Sequence, residues 1–215
     1  MKLGCEAVLF DMDGVLTDST VAAERAWTQW ASEYGVDPAL VLSGLHGRRA
    51  ADTVRMHVAA ELWDSALQRI NAIELADSGA TEAIPGAVAL VESLGAGWAL
   101  VTSAPVSLLE ARLAAVGIPL PGVVISGDSV SAGKPSPEGY LTAASKLGVP
   151  ISRCVVFEDS GNGVAAGIAA SPAGVVGVGV GALETPAEVV VADLRAVSWG
   201  GDGVSISGAL RVPAS

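Results

Sequence analysis

Short, unbroken apolar runs recurring between helical stretches constrain this chain more than any other feature. Ala7 to Phe10, Trp98 to Val101, Val123 to Ile125 and Cys154 to Phe157 are each three or four residues long, with no polar residue inside. Runs of that length read as strands, and strands that do not alternate are apolar on both faces. Burial on both sides, with helices between the strands, predicts a parallel sheet flanked by helices: an α/β, Rossmann-like core. In such sheets ligands bind beyond the carboxyl ends of the strands. Here those ends lead into Asp11 and Asp13, Thr102 and Ser103, a loop with Lys134, and Glu158 and Asp159.

Asp11 and Asp13 stand two residues apart, and a strand sends such residues to one side. Gly14 follows at once and lets the backbone turn sharply. Carboxylates held that close repel unless a proton or a cation intervenes. A hard divalent cation bound by oxygen resolves the repulsion. With the hydroxyls of Thr102 and Ser103 and the ammonium of Lys134, the set suits a phosphoryl group together with a divalent cation.

Four motifs, in order along nearly the whole chain, carry a resemblance. They are Asp11-Met12-Asp13-Gly14-Val15-Leu16-Thr17-Asp18-Ser19, Val101-Thr102-Ser103, Gly133-Lys134-Pro135-Ser136-Pro137-Glu138 and Phe157-Glu158-Asp159-Ser160-Gly161-Asn162-Gly163. Together they resemble the haloacid dehalogenase superfamily, in its phosphatase branch. The resemblance implies that Asp11 is the nucleophile, forming an aspartyl-phosphate, and that Asp13 is the acid/base. It implies Mg²⁺ held by Asp11, the backbone carbonyl of Asp13 and Asp159, with Glu158 as a further ligand or as a brace for one. Thr102, Gly14 and the amide of Ser103 would bind the phosphoryl group, and Lys134 would neutralise charge on nucleophile and substrate.

The same resemblance divides the chain into a core, residues 1–17 and 85–215, and an inserted all-α cap, residues 18–84. The residues agree with that division. Val21 to Tyr34 places Ala26, Trp27, Trp30, Ala31 and Tyr34 at helical spacing, and Ala50 to Ala60 and Trp63 to Ala76 continue the pattern. Within the insert, Gly44-Leu45-His46-Gly47-Arg48-Arg49 is a glycine-flanked loop with three cationic or ionisable side chains. It reads either as a solvated loop or as a substrate contact that brings His46, Arg48 and Arg49 to hydroxyls or a second anion.

Further features set local expectations. Ser136 and Pro137 read as a helix cap and first helical residue, and Ser160 opens another helix. Gly177, Gly179 and Gly181 end a strand without the complete pattern of a dinucleotide fingerprint. Gly200 to Gly203 reads as a hairpin turn between Ala196–Trp199 and Val204–Ser207, and the tail 212–215 as loose.

The net charge of −11 opposes nucleic-acid and anionic-membrane partners, so attraction for phosphate has to be generated locally. No stretch approaches the roughly 18 uninterrupted apolar residues of a membrane helix. The start at Met1 leads straight into a strand, without the pattern of a signal peptide. Cys5 and Cys154 read as reduced core thiols. The expectation is a cytoplasmic enzyme, a monomer or weak homodimer, acting on small phosphorylated metabolites.

Within the superfamily, Asp13 separates the chain from the dehalogenases. No lysine lies between Lys2 and Lys134, which removes a cap Schiff base of the phosphonate-hydrolase kind. β-Phosphoglucomutases carry a histidine in the first cap helix, where this chain has Ala23. The pattern is most similar to sugar- and polyol-phosphate phosphatases, with a mutase or a non-catalytic phosphate-binding member as alternatives.

Overall fold

The computed structural model describes residues 1–213. The chain opens with β1 (Lys2–Gly4), β2 (Ala7–Phe10) and the two-residue β3 (Thr17–Asp18). It then enters the helices α1 (Thr20–Tyr34), α2 (Pro38–Leu42), α3 (Ala50–His57) and α4 (Trp63–Asp77), and returns through β4 (Glu82–Ala83). There follow α5 (Ala87–Leu94), β5 (Trp98–Val101), α6 (Val106–Val116), β6 (Val124–Ile125), α7 (Glu138–Leu147) and β7 (Cys154–Glu158). The last elements are α8 (Gly161–Ala170), β8 (Gly174–Val178), β9 (Val189–Val191), β10 (Val197–Trp199) and β11 (Gly203–Ile206).

The main sheet has six strands in the order β6-β5-β2-β7-β8-β9, every neighbouring pair parallel. The strand order reverses at β2: the chain first adds β5 and β6 on one side, then β7, β8 and β9 on the other. A crevice opens outside the carboxyl ends at such a reversal. Both faces are buried, as the unbroken apolar runs require. Val8, Phe10, Leu100, Val155 and Phe157 pack toward α5 and α6 with Leu90, Leu108 and Leu109. Ala7, Leu9, Ala99, Val101 and Val156 face the other way, onto Tyr140, Ala143 and Ala144 of α7 and Ala166 of α8. Cys5 and Cys154 are free, buried thiols, and burial raises the Cys154 pKa to about 11.

The helical insert has an apolar centre of its own. Trp27, Trp30, Ala31, Val41, Val54, Ala66 and Ile70 form it. Trp30 is fully enclosed and donates its indole N–H to the carbonyl of Ala66, 2.9 Å away. This satisfies the single polar atom of a large buried ring. The insert is not purely helical, because β3 and β4 pair antiparallel where the chain leaves and re-enters the core. Two-residue strands carry no periodicity, so neither was legible in the sequence.

Three local boundaries differ from expectation. The helix expected over Ala50–Ala60 stops at His57, and a 3₁₀ turn, Ala60–Leu62, leads into α4. Ser136 and Pro137 both precede α7, which begins at Glu138; the Ser136 hydroxyl still accepts from the Glu138 amide at 3.3 Å. The hairpin is present as β10 and β11, and β1 joins it as a third antiparallel strand. Of the tail, residues 214 and 215 lie outside the described residues. Among those described, no helix is long and apolar enough to cross a membrane.

Replacing Trp30 by Ala should remove the largest side chain of the insert's centre and leave a cavity, at a cost of about 3–5 kcal/mol. Urea denaturation checks this, and a loss below about 1 kcal/mol would show that the insert's centre does not depend on that ring.

Candidate active site

The sheet's order brings Asp11, Thr102 and Glu158–Asp159 together, since each directly follows or ends one of three adjacent strands. Phe10 is in register with Phe157 and Leu100, so Asp11 sits one residue beyond both neighbours. Its amide continues the ladder by donating to the Phe157 carbonyl at 3.0 Å. Lys134 arrives from the loop before α7, and its ammonium lies 2.8 Å from Asp11 Oδ1 and 2.5 Å from Glu158 Oε1. All three side chains are almost wholly buried. Asp11, Glu158 and Asp159 each place one carboxylate oxygen within 4.8 Å of the others.

Three carboxylates against one ammonium leave an excess of negative charge in a poorly solvated place. Burial, and then the neighbouring Glu158, push the Asp11 pKa up to about 7, while Lys134 opposes the rise. Asp159 is raised for the same reasons, burial first and the Asp11 charge next. Burial alone would depress the Lys134 ammonium, but Asp11 and Glu158 hold it above its ordinary value. Glu158 is completely enclosed and accepts from Tyr140 Oη at 2.6 Å and from the Asp159 amide at 3.2 Å. Bonded on several sides, it cannot swing away.

The glycines of the motifs answer to this crowding. A Cβ on Gly14, whose φ is +78°, would run into the Asp159 carboxyl. A Cβ on Gly163 would overlap the carboxyl of Glu158. Ser160 caps α8 by accepting from the Gly163 amide at 3.1 Å, which holds that first turn against the acidic cluster.

Asp13 is oriented differently from Asp11. Its Oδ1 accepts from Ser19 Oγ at 2.6 Å, Arg112 Nη1 at 2.9 Å and Thr17 Oγ1 at 3.2 Å. No donor reaches its Oδ2 among the described residues. Thr102 is buried, and its hydroxyl accepts from the Ala104 amide at 3.0 Å, which shapes the turn after β5. The Ser103 hydroxyl donates to the Gly47 carbonyl at 2.8 Å and so ties the core to the insert. Asn162 adds a second tie, donating to the His46 carbonyl at 3.2 Å.

The loop residues 46–49 do not act together. His46 and Arg48 line the pocket that also contains Asp11, Asp13, Thr102, Ser103 and Asp159. His46 is solvent-exposed, with Nε2 4.0 Å from Glu24. Arg49 is placed elsewhere: it pairs with Asp52, donates to the Val130 carbonyl at 3.0 Å, and presses on Gly133, the residue before Lys134. It braces the Lys134 loop instead of facing the pocket.

Arg112, Glu74 and Tyr140 were missed by the sequence reading. Arg112 of α6 is buried between Asp13 and Glu74 Oε1, the latter 3.4 Å away on α4. Burial raises Glu74 to about 7 despite the adjacent guanidinium. A signal existed. Glu74 continues the buried stripe Ala66–Ile70, and Arg112 sits among Leu108, Leu109 and Leu113, so each is a charge at an apolar position of its helix.

Fold and site together define an α/β protein of the Rossmann-like kind with a buried carboxylate–lysine centre at the sheet's carboxyl edge. Residues 5–171 match the haloacid dehalogenase-like hydrolases, and the chain belongs to that family. Hexitol phosphatase A of Escherichia coli is 40% identical over 172 residues, 77% of this chain and 80% of that protein. 2-Deoxyglucose-6-phosphate phosphatase 1 of Saccharomyces cerevisiae is 35% identical, covering 92% of this chain and 91% of its own. The crystal structure of CbbY from Rhodobacter sphaeroides in complex with phosphate superposes with a TM-score of 0.77 at 25% identity, covering 88% of this chain and 95% of that one.

Gly163→Ala should force Glu158 out of the position that Tyr140 and Lys134 define. An overpacking loss of about 1–3 kcal/mol in chemical denaturation is expected. An unchanged midpoint would mean that Glu158 is free to move.

Proposed function

We propose that this chain is a Mg²⁺-dependent phosphatase of small phosphorylated sugars or polyols, working through an aspartyl-phosphate on Asp11. The observation that carries the proposal is the Asp11 carboxylate, held through Oδ1 by the Lys134 ammonium at 2.8 Å on the wall of a pocket. With Oδ1 so engaged, Oδ2 is the oxygen that attacks phosphorus. As the P–O bond to the alcohol breaks, Asp13 delivers a proton to the departing oxygen from Oδ2, which no protein donor occupies. Water then attacks the phosphorus of the acyl phosphate, Asp13 takes back a proton, and phosphate leaves with Asp11 regenerated. Lys134, the Thr102 hydroxyl and the amides of Ser103 and Gly14 balance charge on the transferring group.

The donor set fits a hard divalent ion, since three oxygens converge and two of the carboxyls resist ionisation without one. Asp11 and Asp159 would hold Mg²⁺, with Asp13 contributing its backbone carbonyl. Glu158, bonded to Lys134 and Tyr140, would brace the site. The ion would supply charge neutralisation to the nucleophile and the phosphoryl oxygens. The helical insert, residues 18–84, would be the cap, closed over the site through the Ser103–Gly47 and Asn162–His46 bonds. The named relatives support a sugar- or polyol-phosphate substrate. Ala23, where the mutases of the resemblance carry histidine, favours transfer to water.

Incubation with Mg²⁺ and a panel of sugar, polyol and nucleotide monophosphates should release phosphate from a sugar or polyol phosphate. EDTA should abolish release, and Asp11→Asn should lower it on the order of 10⁴-fold. No release from any compound would contradict the proposal.

Asp11 and Glu74 have folded pKa values of about 7, above the unfolded values near 4, so folding takes up protons between those limits. Their contribution to stability is therefore lost as pH rises through about 7. In EDTA the thermal midpoint should fall from about pH 5.5 to about pH 8, and Mg²⁺ should restore more at the higher pH, where its ligands are ionised. A Mg²⁺ effect that does not grow with pH would contradict this assignment.

A further inference from the structure

Asp13 marks the side of the pocket on which the leaving alcohol must lie, because its proton goes to the departing oxygen. Next to it the wall is formed by Ser19, Ala23, Trp27, Leu108, Glu74 and Arg112. Glu74 is a charged side chain in an apolar helical stripe, a position that costs stability unless the charge is used. Its one hydrogen bond among the described residues, to Arg112 Nη2, reaches Oε1 at a long 3.4 Å, and no protein donor reaches Oε2. Arg112 cannot neutralise Glu74 alone, because its Nη1 is already committed to Asp13 at 2.9 Å. One guanidinium is thus shared by two carboxylates. Arg48 also lines the pocket, its guanidinium packed against Gly44 in the loop.

We propose that Glu74, braced by Arg112, is the leaving-group subsite, accepting hydrogen bonds from hydroxyls of an uncharged polyol and disfavouring leaving groups that carry a second negative charge. The proposal rests on the phosphatase reading and specifies its substrate class. A carboxylate is an acceptor, so it pairs with hydroxyl donors, whereas an alkyl chain leaves it unpaired. A second anion would meet Glu74 and find both terminal nitrogens of Arg112 occupied. Ala23, Trp27 and Leu108 supply apolar surface for the carbon chain between the hydroxyls.

The test compares kcat/KM at about pH 8, where Glu74 is ionised, for three three-carbon esters: glycerol 3-phosphate, n-propyl phosphate and 3-phosphoglycerate. They share a chain length and differ in hydroxyls and charge. The wild type is expected to prefer glycerol phosphate to each of the others by about 10-fold or more. Glu74→Ala should reduce the glycerol-to-propyl preference to about threefold or less. Glu74→Gln, which keeps the shape and removes the charge, should raise the phosphoglycerate-to-glycerol ratio by about 10-fold. If Glu74→Ala does not fold, the Gln variant alone decides. Ratios that stay at wild-type values in the folded variants, or a wild type that hydrolyses the propyl ester as fast as the glycerol ester, would overturn the subsite while leaving the phosphatase standing. A wild type inactive on all three and on the wider panel would remove the phosphatase reading, and the subsite with it.

Discussion

Lys134 lies between Asp11 and Glu158, and the remainder of the site follows from that placement. A single ammonium, itself buried, faces two carboxylates at 2.8 and 2.5 Å and has Asp159 beside them. In low dielectric such charges interact strongly, and removing one partner leaves the others uncompensated. The surroundings meet the cost piece by piece. Tyr140 donates to Glu158, Gly14 and Gly163 give the carboxyls room, and Arg49 presses on the glycine that precedes the lysine. The net charge of −11 offers phosphate no help from a distance, so the Lys134 ammonium, the backbone amides and the divalent ion proposed for the carboxylates must supply the attraction.

The parallel sheet makes the cluster possible. Three adjacent strands stop at one edge, and register sets Asp11 level with Glu158 and one residue short of Thr102 and Asp159. The order reverses at β2, so no crossover covers that edge, and the helical insert is free to reach across it. Ser103–Gly47 and Asn162–His46 join the two parts through backbone carbonyls, and position 47 requires glycine, because its φ is +75° and a Cβ there would strike Ser160. Arg112–Glu74 joins them through charge and carries the connection to Asp13.

Much of this was legible in the sequence because it rests on short-range patterns. Unbroken apolar runs announced strands buried on both faces, and the polar residues after them announced the edge at which chemistry sits. Gly14 pointed to a sharp turn, and in the structure it sits against Asp159, as Gly163 of the fourth motif sits against Glu158. What escaped depends on packing between distant segments. Arg49 looked like a pocket cation beside His46 and Arg48, yet Asp52 and the Val130 carbonyl draw it to the Lys134 loop. Tyr140, on the buried face of α7, belongs to no motif; α7 packs over β5 and β2, and from there its hydroxyl reaches Glu158 at the end of the adjacent β7. Glu74 and Arg112 are far apart in the chain, and only the fold of the insert onto α6 makes them partners.

The central claim is that Asp11 carries the phosphoryl group between substrate and water. Acid quench during steady turnover on a sugar or polyol phosphate, followed by peptide mass spectrometry, tests it most directly. The account predicts one phosphoryl group on the peptide containing Asp11, absent in Asp11→Asn. Rapid turnover with that peptide unmodified, or with the phosphoryl group on another residue, would contradict it.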